Sequence, residues 1–269
     1  MPELPEVEAV RRKLRRDAVG AKLVSAHIER RRITLSQDCD QVESLAAGRS
    51  IERVLRRGKN ILVGLSGGFV MRVHLGMTGN IYVSPDWRFR PSSASAWFAL
   101  NDGRGLIFED TRGLGSLTIL TAAEARQTVD ALGPEPLSAK FTADAFIEAV
   151  GKLRQPAKLF LMDQRRVAGL GNIYAAEALF RARIDPRKPI GSLSRRRLRS
   201  LHAAIVGVLR DAVRSAYKAY SRPGGFREAE DFVSAVYGRE GERCGVCAGV
   251  IRRITQGGRS TYFCPKCQR

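Results

Sequence analysis

Two places in this sequence combine residue types that can do chemistry. The first is the opening run Met1-Pro2-Glu3-Leu4-Pro5-Glu6-Val7-Glu8. Proline in second place is common and says nothing alone, because a small second residue simply lets the initiator methionine be removed. Its neighbours change that reading. With Met1 cleaved, Pro2 offers a secondary amine at the start of an acidic helix. Such an amine condensing with a sugar aldehyde carbon gives an iminium that is cationic at any pH. A primary amine gives an imine that must first be protonated. An unperturbed α-amino group titrates at about 7.7–8.0, and the partial positive charge of a helix N-terminus disfavours its protonated form. Pro2 is therefore expected to attack near neutrality. The adjacent Glu3 carboxylate can shuttle protons, and Glu6, a turn further on, can orient the site. These glutamates also complement the helix dipole, and both readings can hold together.

The second place is the pair Cys244-x2-Cys247 and Cys264-x2-Cys267, sixteen residues apart. Two such knuckles can close a tetrahedral tetrathiolate around one Zn2+. Protein fills all four positions, so no water can bind and the zinc is expected to be structural. It would stabilise a hairpin too small for a core of its own. Arg252, Arg253 and Arg259 lie between the knuckles, as on a clamp for a polyanion. Cys39 stands alone and reads as an ordinary thiol.

The elements that must position these groups follow from periodicity and punctuation. Val7, Val10 and Leu14 recur at helical spacing, which predicts a helix over 3–18. From about 22 to 120, short apolar runs such as 61–65, 69–73 and 106–108 are broken by Gly-Gly, Asp-Gly and Pro, the texture of a β-sandwich or barrel. Thr121 and Glu124 form a capping box that starts a helix to about Leu132. Gly133-Pro134-Glu135-Pro136 then marks a boundary. Helices are predicted over 142–152, 172–182 and 193–217, the last with Arg195, Arg196, Arg197 and Arg199 on its solvated face. Residues 218–236 show no clear period. The expected organisation is α+β and multidomain: a sandwich domain over 1–120, a helix and linker over 121–138, a helical domain over 139–236 and the Cys-rich module over 237–269.

Bulk composition narrows the partners. Lys and Arg total 46 against 27 Asp and Glu, a net charge of +19, with a sequence pI near 10.6. A domain this basic points to nucleic acid, with an anionic membrane surface as the rival. No stretch reaches the 18 or so apolar residues of a membrane span. The acidic opening lacks the pattern of a signal peptide. The expected compartment is the cytosol with the bacterial nucleoid, where thiols stay reduced, and the expected state is a monomer.

The run at 1–8 resembles the opening of the formamidopyrimidine-DNA glycosylase family, which removes 8-oxoguanine and ring-opened purines. The resemblance extends through Arg57-Gly58-Lys59, His74-Leu75-Gly76-Met77-Thr78-Gly79, Leu161-Met162-Asp163-Gln164, Gly169-Leu170-Gly171-Asn172-Ile173-Tyr174, Tyr237-Gly238-Arg239-Glu240-Gly241 and the four cysteines. It implies an N-terminal β-sandwich with a leading helix, a helix–two-turn–helix domain and a C-terminal zinc-finger hairpin. It also implies base excision followed by β- and δ-elimination on double-stranded DNA carrying damaged bases or abasic sites. Pro2 would be the nucleophile and Glu3 the proton-transfer acid. Lys59 would lie near the flipped nucleotide and its phosphates. His74, Asn172 and Arg259 would hold the kinked strand, with Arg259 counted among the catalytic set. Met77 would fill the gap left by the flipped nucleotide, and Lys158 joins the DNA-binding set. Endonuclease VIII-like action on oxidised pyrimidines and a non-catalytic damage-binding relative are the alternatives.

Two departures bear on specificity. Where the family usually has two arginines and a phenylalanine, this chain has Arg112-Gly113-Leu114. Arg112 can face the orphaned base, and leucine is a smaller wedge. The stretch 218–236 is short compared with the family's base-capping loop, leaving Tyr220 or Phe226 as substitute caps.

Overall fold

The computed structural model describes residues 2–220 and 232–269, and these gather into two compact units. The first comprises residues up to Ala131 together with the segment from Val213. The second comprises Leu132–Ala212 and Phe232–Arg269.

The first unit opens with α1 (Leu4–Ala18). It buries Val7, Val10 and Leu14, at about 1.5–3 kcal/mol each. Then come β1 (Leu23–Ile28), a 3-10 turn (Arg31–Thr34), α2 (Cys39–Ala46) and β2 (Ile51–Arg57). β3 (Asn60–Leu65), β4 (Phe69–His74), β5 (Gly79–Ser84), β6 (Ala94–Leu100), β7 (Gly105–Asp110) and β8 (Ser116–Thr121) follow. The last element of this run is α3 (Ala122–Asp130). The strands form two four-stranded antiparallel sheets, ordered β1-β6-β7-β5 and β2-β3-β4-β8. Side chains from both sheets and from α1 share one core with Ile61, Met71, Phe98 and Phe108. This is the expected sandwich with its leading helix.

The second unit contains α4 (Ala143–Val150), α5 (Ala157–Met162) and α6 (Asn172–Arg181). It also holds most of α7 (Arg195–Ala219) and the hairpin of β9 (Arg252–Gln256) and β10 (Arg259–Phe263). The hairpin shares the unit because it has almost no core of its own. Cys244, Cys264, Ile251 and Val236 pack with Ala176 of α6. From Val213, α7 belongs to the first unit, where Ala216 and Tyr220 join the sandwich core.

The compact units therefore cut across the sequence segments, which were drawn at Gly and Pro punctuation. α2 and α5 were not anticipated. Each is short, eight and six residues, too few for periodicity to show. α4 ends at Val150, where Gly151 takes φ +50, the left-handed conformation glycine adopts without strain. The arginine run of α7 is partly paired: Asp144 accepts from Arg199 at 3.0 Å and lies 3.5 Å from Arg195. Arg197 donates to the Arg183 and Arg269 carbonyls. Cys39 is buried.

Candidate active site

Pro2 and Glu3 are both buried, immediately before the first turn of α1. Glu3 is 0% exposed. It is extended (φ −112°, ψ −169°) and serves as the N-cap, with Pro5 in the first turn. The Glu6 carboxylate accepts the Glu3 N–H at 2.8 Å. Glu6 thereby closes a capping box that fixes the backbone beside Pro2.

Glu8 ties α1 to the β2–β3 hairpin. Its carboxylate accepts from Arg11 and Arg12 at 2.8 Å and from Arg56 at 3.1 Å. Burial pulls its pKa up, but these guanidinium groups prevail and hold it below the usual carboxylate range. Arg56 also donates to the Gly58 carbonyl at 2.8 Å, bracing the tight turn that presents Lys59. Gly58 has φ +56, which a side chain there would strain.

Asn60, beside Lys59, pairs with His74 across β3 and β4. Burial pushes the His74 pKa down to about 4, helped by the charges of Lys59 and Arg72. The Gly76 N–H donates to His74 Nδ1 at 3.1 Å. That bond requires Nδ1 unprotonated, so the imidazole is neutral with its proton on Nε2.

His74 leads into the turn carrying Met77, which is 36% exposed. Thr78 joins this turn to the β7–β8 loop by donating to Asp110 Oδ1 at 2.6 Å and accepting from the Arg112 N–H at 3.1 Å. Asp110 is fully buried, and its other oxygen accepts the Gly115 N–H at 2.7 Å. A Cβ on Gly76 would come within 2.5 Å of the Leu114–Gly115 peptide. Arg112 donates to the Met77 sulfur at 3.2 Å, and Leu114 is 52% exposed. Within the first unit, Glu8 thus ties α1 to the β2–β3 turn that carries Lys59, strand pairing sets that turn beside His74, and the Met77 turn bonds to Arg112 and abuts the Leu114 peptide.

The second unit holds the remaining candidates. Asn172 opens α6 after a loop built by Gln164, whose amide donates to the Leu170 carbonyl at 2.7 Å and accepts the Gly169 N–H at 2.8 Å. Asn172 Oδ1 is buried without a hydrogen-bond partner. Arg259 is exposed at the start of β10, just after the Gly257-Gly258 turn. Lys158, expected among the DNA-binding residues, is instead fully buried. Its ammonium donates to the Ser260 carbonyl at 2.8 Å and to Thr261 Oγ1 at 2.6 Å. A group so enclosed cannot reach a phosphate, and it fixes the strand beside Arg259.

Sequence reasoning missed Glu177 altogether. This buried α6 carboxylate accepts the N–H groups of Ala235, Val236 and Tyr237 at 2.8, 3.0 and 2.9 Å. It anchors the chain entering the finger. A glutamate inside a helix carries no signal of such a role. Nor did the sequence single out Asp110 or Arg56, which act through partners far along the chain.

The four cysteine sulfurs lie within 4.8 Å of one another. Cys244 and Cys267 are 3.8 Å apart, and Cys247 and Cys264 3.5 Å. Zn–S bonds of about 2.3 Å in a tetrahedron place sulfurs about 3.8 Å apart, so the cage fits. Without a cation the four thiols do not ionise together: the Gly249 backbone and neighbouring thiols pull Cys247 down to about 7, while desolvation and the neighbouring thiols push Cys267 up to about 12. A dication lets all four become thiolates. The finger holds one structural Zn2+.

The first unit is a sandwich led by a helix with a buried acid, and the same chain carries a four-thiolate finger. Family models cover the chain in three parts. Residues 1–117 match the formamidopyrimidine-DNA glycosylase N-terminal domain, 132–222 its H2TH domain, and 241–269 the zinc finger found in FPG and IleRS. The formamidopyrimidine-DNA glycosylase of Thermus thermophilus is 40% identical, with 100% of this chain and 98% of the relative aligned. That of Ruegeria pomeroyi is 38% identical over the full length of both. The Lactococcus lactis Fpg bound to abasic-site DNA superposes with a TM-score of 0.88 at 32% identity, covering 99% of each chain. A variant of it bound to Fapy-dG-containing DNA gives 0.89 at 31%, covering 100% of each. The chain belongs to the formamidopyrimidine-DNA glycosylase family.

Proposed function

We propose that Pro2 is the nucleophile of this base-excision-repair glycosylase and Glu3 its proton shuttle. The protein is a DNA glycosylase acting on formamidopyrimidine and abasic-site DNA. The observation that carries the assignment of roles is the burial of Glu3 beside Pro2, with Glu6 holding the Glu3 N–H. A desolvated carboxylate there transfers protons without competition from water.

In the form that begins at Pro2, the amine lone pair attacks C1′ of a nucleotide flipped out of the duplex. The bond from C1′ to the base breaks, and its electron pair leaves with the base. The amine proton passes to Glu3, which returns a proton to O4′ as the C1′–O4′ bond breaks and the nitrogen lone pair closes the iminium. The resulting iminium acidifies C2′–H. Loss of that proton expels the 3′ phosphate, and a second elimination expels the 5′ phosphate. Lys59, carried on the β2–β3 turn, faces the reacting sugar and its phosphates. Neutral His74 donates one Nε2–H bond to phosphate. Asn172 and Arg259 grip the strand, with Lys158 acting through the hairpin. Met77 and Leu114 fill the gap, and Arg112 meets the orphaned base. The four thiolates require a reducing compartment, which supports a cytosolic, nucleoid-associated enzyme.

Lesion choice follows the departures from the family pattern. Tyr220 is a core residue of the sandwich, so it is not a substitute cap. Phe226 lies outside the described residues. With a smaller wedge at Leu114, formamidopyrimidines, whose opened rings stack weakly, are processed faster than 8-oxoguanine. Single-turnover rates on matched duplexes test this, and equal rates would overturn it. Borohydride trapping on abasic-site DNA tests the nucleophile. Hydride reduces the iminium to a permanent cross-link between Pro2 and C1′. A cross-link mapping to any other residue would refute the assignment.

A further inference from the structure

The β7–β8 loop carries Leu114 half-exposed. It is held on one side by the buried carboxylate of Asp110, through Thr78 and the Gly115 N–H. On the other side two arginines from the end of β1 and the 3-10 turn grip its carbonyls. Arg30 Nη1 donates to the Asp110 carbonyl at 2.7 Å and to that of Thr111 at 3.3 Å. Arg32 Nη2 donates to the Arg112 carbonyl at 2.6 Å. Gly113 between them is buried with φ +56. A Cβ added there would lie 2.1 Å from Arg32 Nη2 and 2.6 Å from Cζ. The Arg32 guanidinium therefore fills the volume into which a side chain at 113 would project.

We propose that Arg32 is a positioning residue for the wedge. Its guanidinium occupies the place left free by Gly113 and locks the Arg112 carbonyl, so that Leu114 is presented in one conformation. The inference rests on the reading that Leu114 enters the gap opposite the flipped nucleotide. A loop ordered beforehand loses less conformational freedom when it enters DNA. The benefit falls on substrates that must be unpaired and flipped, and less on abasic sites, which have no base to unpair. A lysine at 32 keeps the charge but lacks the planar fork that can hold a carbonyl and cover Gly113 together.

The test is a cycle of Arg32→Ala, Leu114→Ala and the double variant in the full-length zinc-loaded protein. Single-turnover excision is measured on a fully paired formamidopyrimidine duplex, with abasic-site cleavage and thermal unfolding alongside. Arg32→Ala is expected to slow excision about tenfold, the worth of one hydrogen bond from a charged donor. Abasic-site cleavage falls less, and the melting temperature stays close to that of the parent. In the Leu114→Ala background the same change adds less than about twofold, because coupled residues are not additive. Arg32→Lys rescues poorly. Gly113→Ala, whose Cβ displaces the guanidinium, reproduces the Arg32→Ala defect. Parental excision by Arg32→Ala, or losses that multiply in the double variant, would overturn the proposal. A parental rate with a salt slope one unit lower would do so too, making Arg32 a plain phosphate contact. If Leu114→Ala is also silent, the wedge reading fails with it. If Leu114→Ala alone is slow, only the role of Arg32 fails.

Discussion

The start of α1 and the zinc-finger hairpin both carry polar groups proposed to act on DNA, and they treat water in opposite ways. At α1 the groups proposed to react are the buried ones: Pro2 and Glu3 are out of solvent, and Glu6 is buried as well. At the hairpin the buried side chains of Lys158 and Glu177 bond to protein groups, while Arg259 is exposed. A charge interaction worth about 1 kcal/mol in water at 4 Å is worth about 4 kcal/mol at an effective dielectric of 20. Proton transfer gains from that difference, so its groups are enclosed. Gripping phosphates by releasing counterions works at the surface, so there burial is reserved for the scaffold.

The largest effect expected from this contrast is at Glu3. Glu3→Gln keeps the shape and removes the titrating oxygen, and base excision should fall by about 10²–10⁴, the usual worth of general acid–base catalysis. Cleavage of a preformed abasic site should fall less, since no base has to be expelled. Single-turnover assays on the two substrates measure the ratio, and equal losses would contradict a shuttle acting in base release. At the hairpin the corresponding change is Cys264→Ser. It should abolish zinc retention and DNA binding while the sandwich stays folded, because among the described residues the sandwich core draws none from the finger. Metal analysis with a binding assay and a two-transition melt would show it. Loss of both transitions together would mean that the finger supports more than itself.

How much of this was legible follows from how local each signal is. The zinc cage was readable because each cysteine pair is local, three positions apart, and the N-terminal helix because its apolar residues recur within a turn. The sandwich was readable from strand texture. Lys158 was placed in the DNA-binding set, and its burial was not legible because its partners, Ser260 and Thr261, lie about a hundred residues away. Glu177, Arg56 and Asp110 fail for the same reason. A buried charge is recognised by what encloses it, and the enclosing residues come from other elements.

Smaller effects separate grip from scaffold. Arg259→Ala should weaken binding to damaged and undamaged DNA alike and lower the salt slope by about one unit. Its melting temperature should not move, since the side chain is exposed. Lys158→Met should do the reverse first. Leaving the Ser260 carbonyl and Thr261 hydroxyl unpaired costs about 1–3 kcal/mol each, so thermal stability drops before the phosphate count changes. A Lys158 variant with parental stability and a lower slope would make that lysine a phosphate contact.

The smallest effect expected is at His74, which stands between the two cases: it belongs to the first unit yet is assigned to a phosphate. Its pKa of about 4 lies below the roughly 6.5 of a free imidazole. Between those values the unfolded chain binds a proton that the folded chain refuses. Stability should therefore fall as pH drops from about 6.5 toward 4, and be independent of His74 above that window. The sequence has three histidines, so imidazole nitrogen resonances can be assigned by single substitutions. His74 should show an Nε2–H tautomer and no titration between pH 8 and 5. Because the ring is neutral, His74→Gln should weaken DNA binding by about two- to tenfold, the range for a neutral hydrogen bond. It should leave the salt slope unchanged, unlike Arg259→Ala. A slope one unit lower, or a midpoint near that of free histidine, would show that His74 meets the phosphate as a cation.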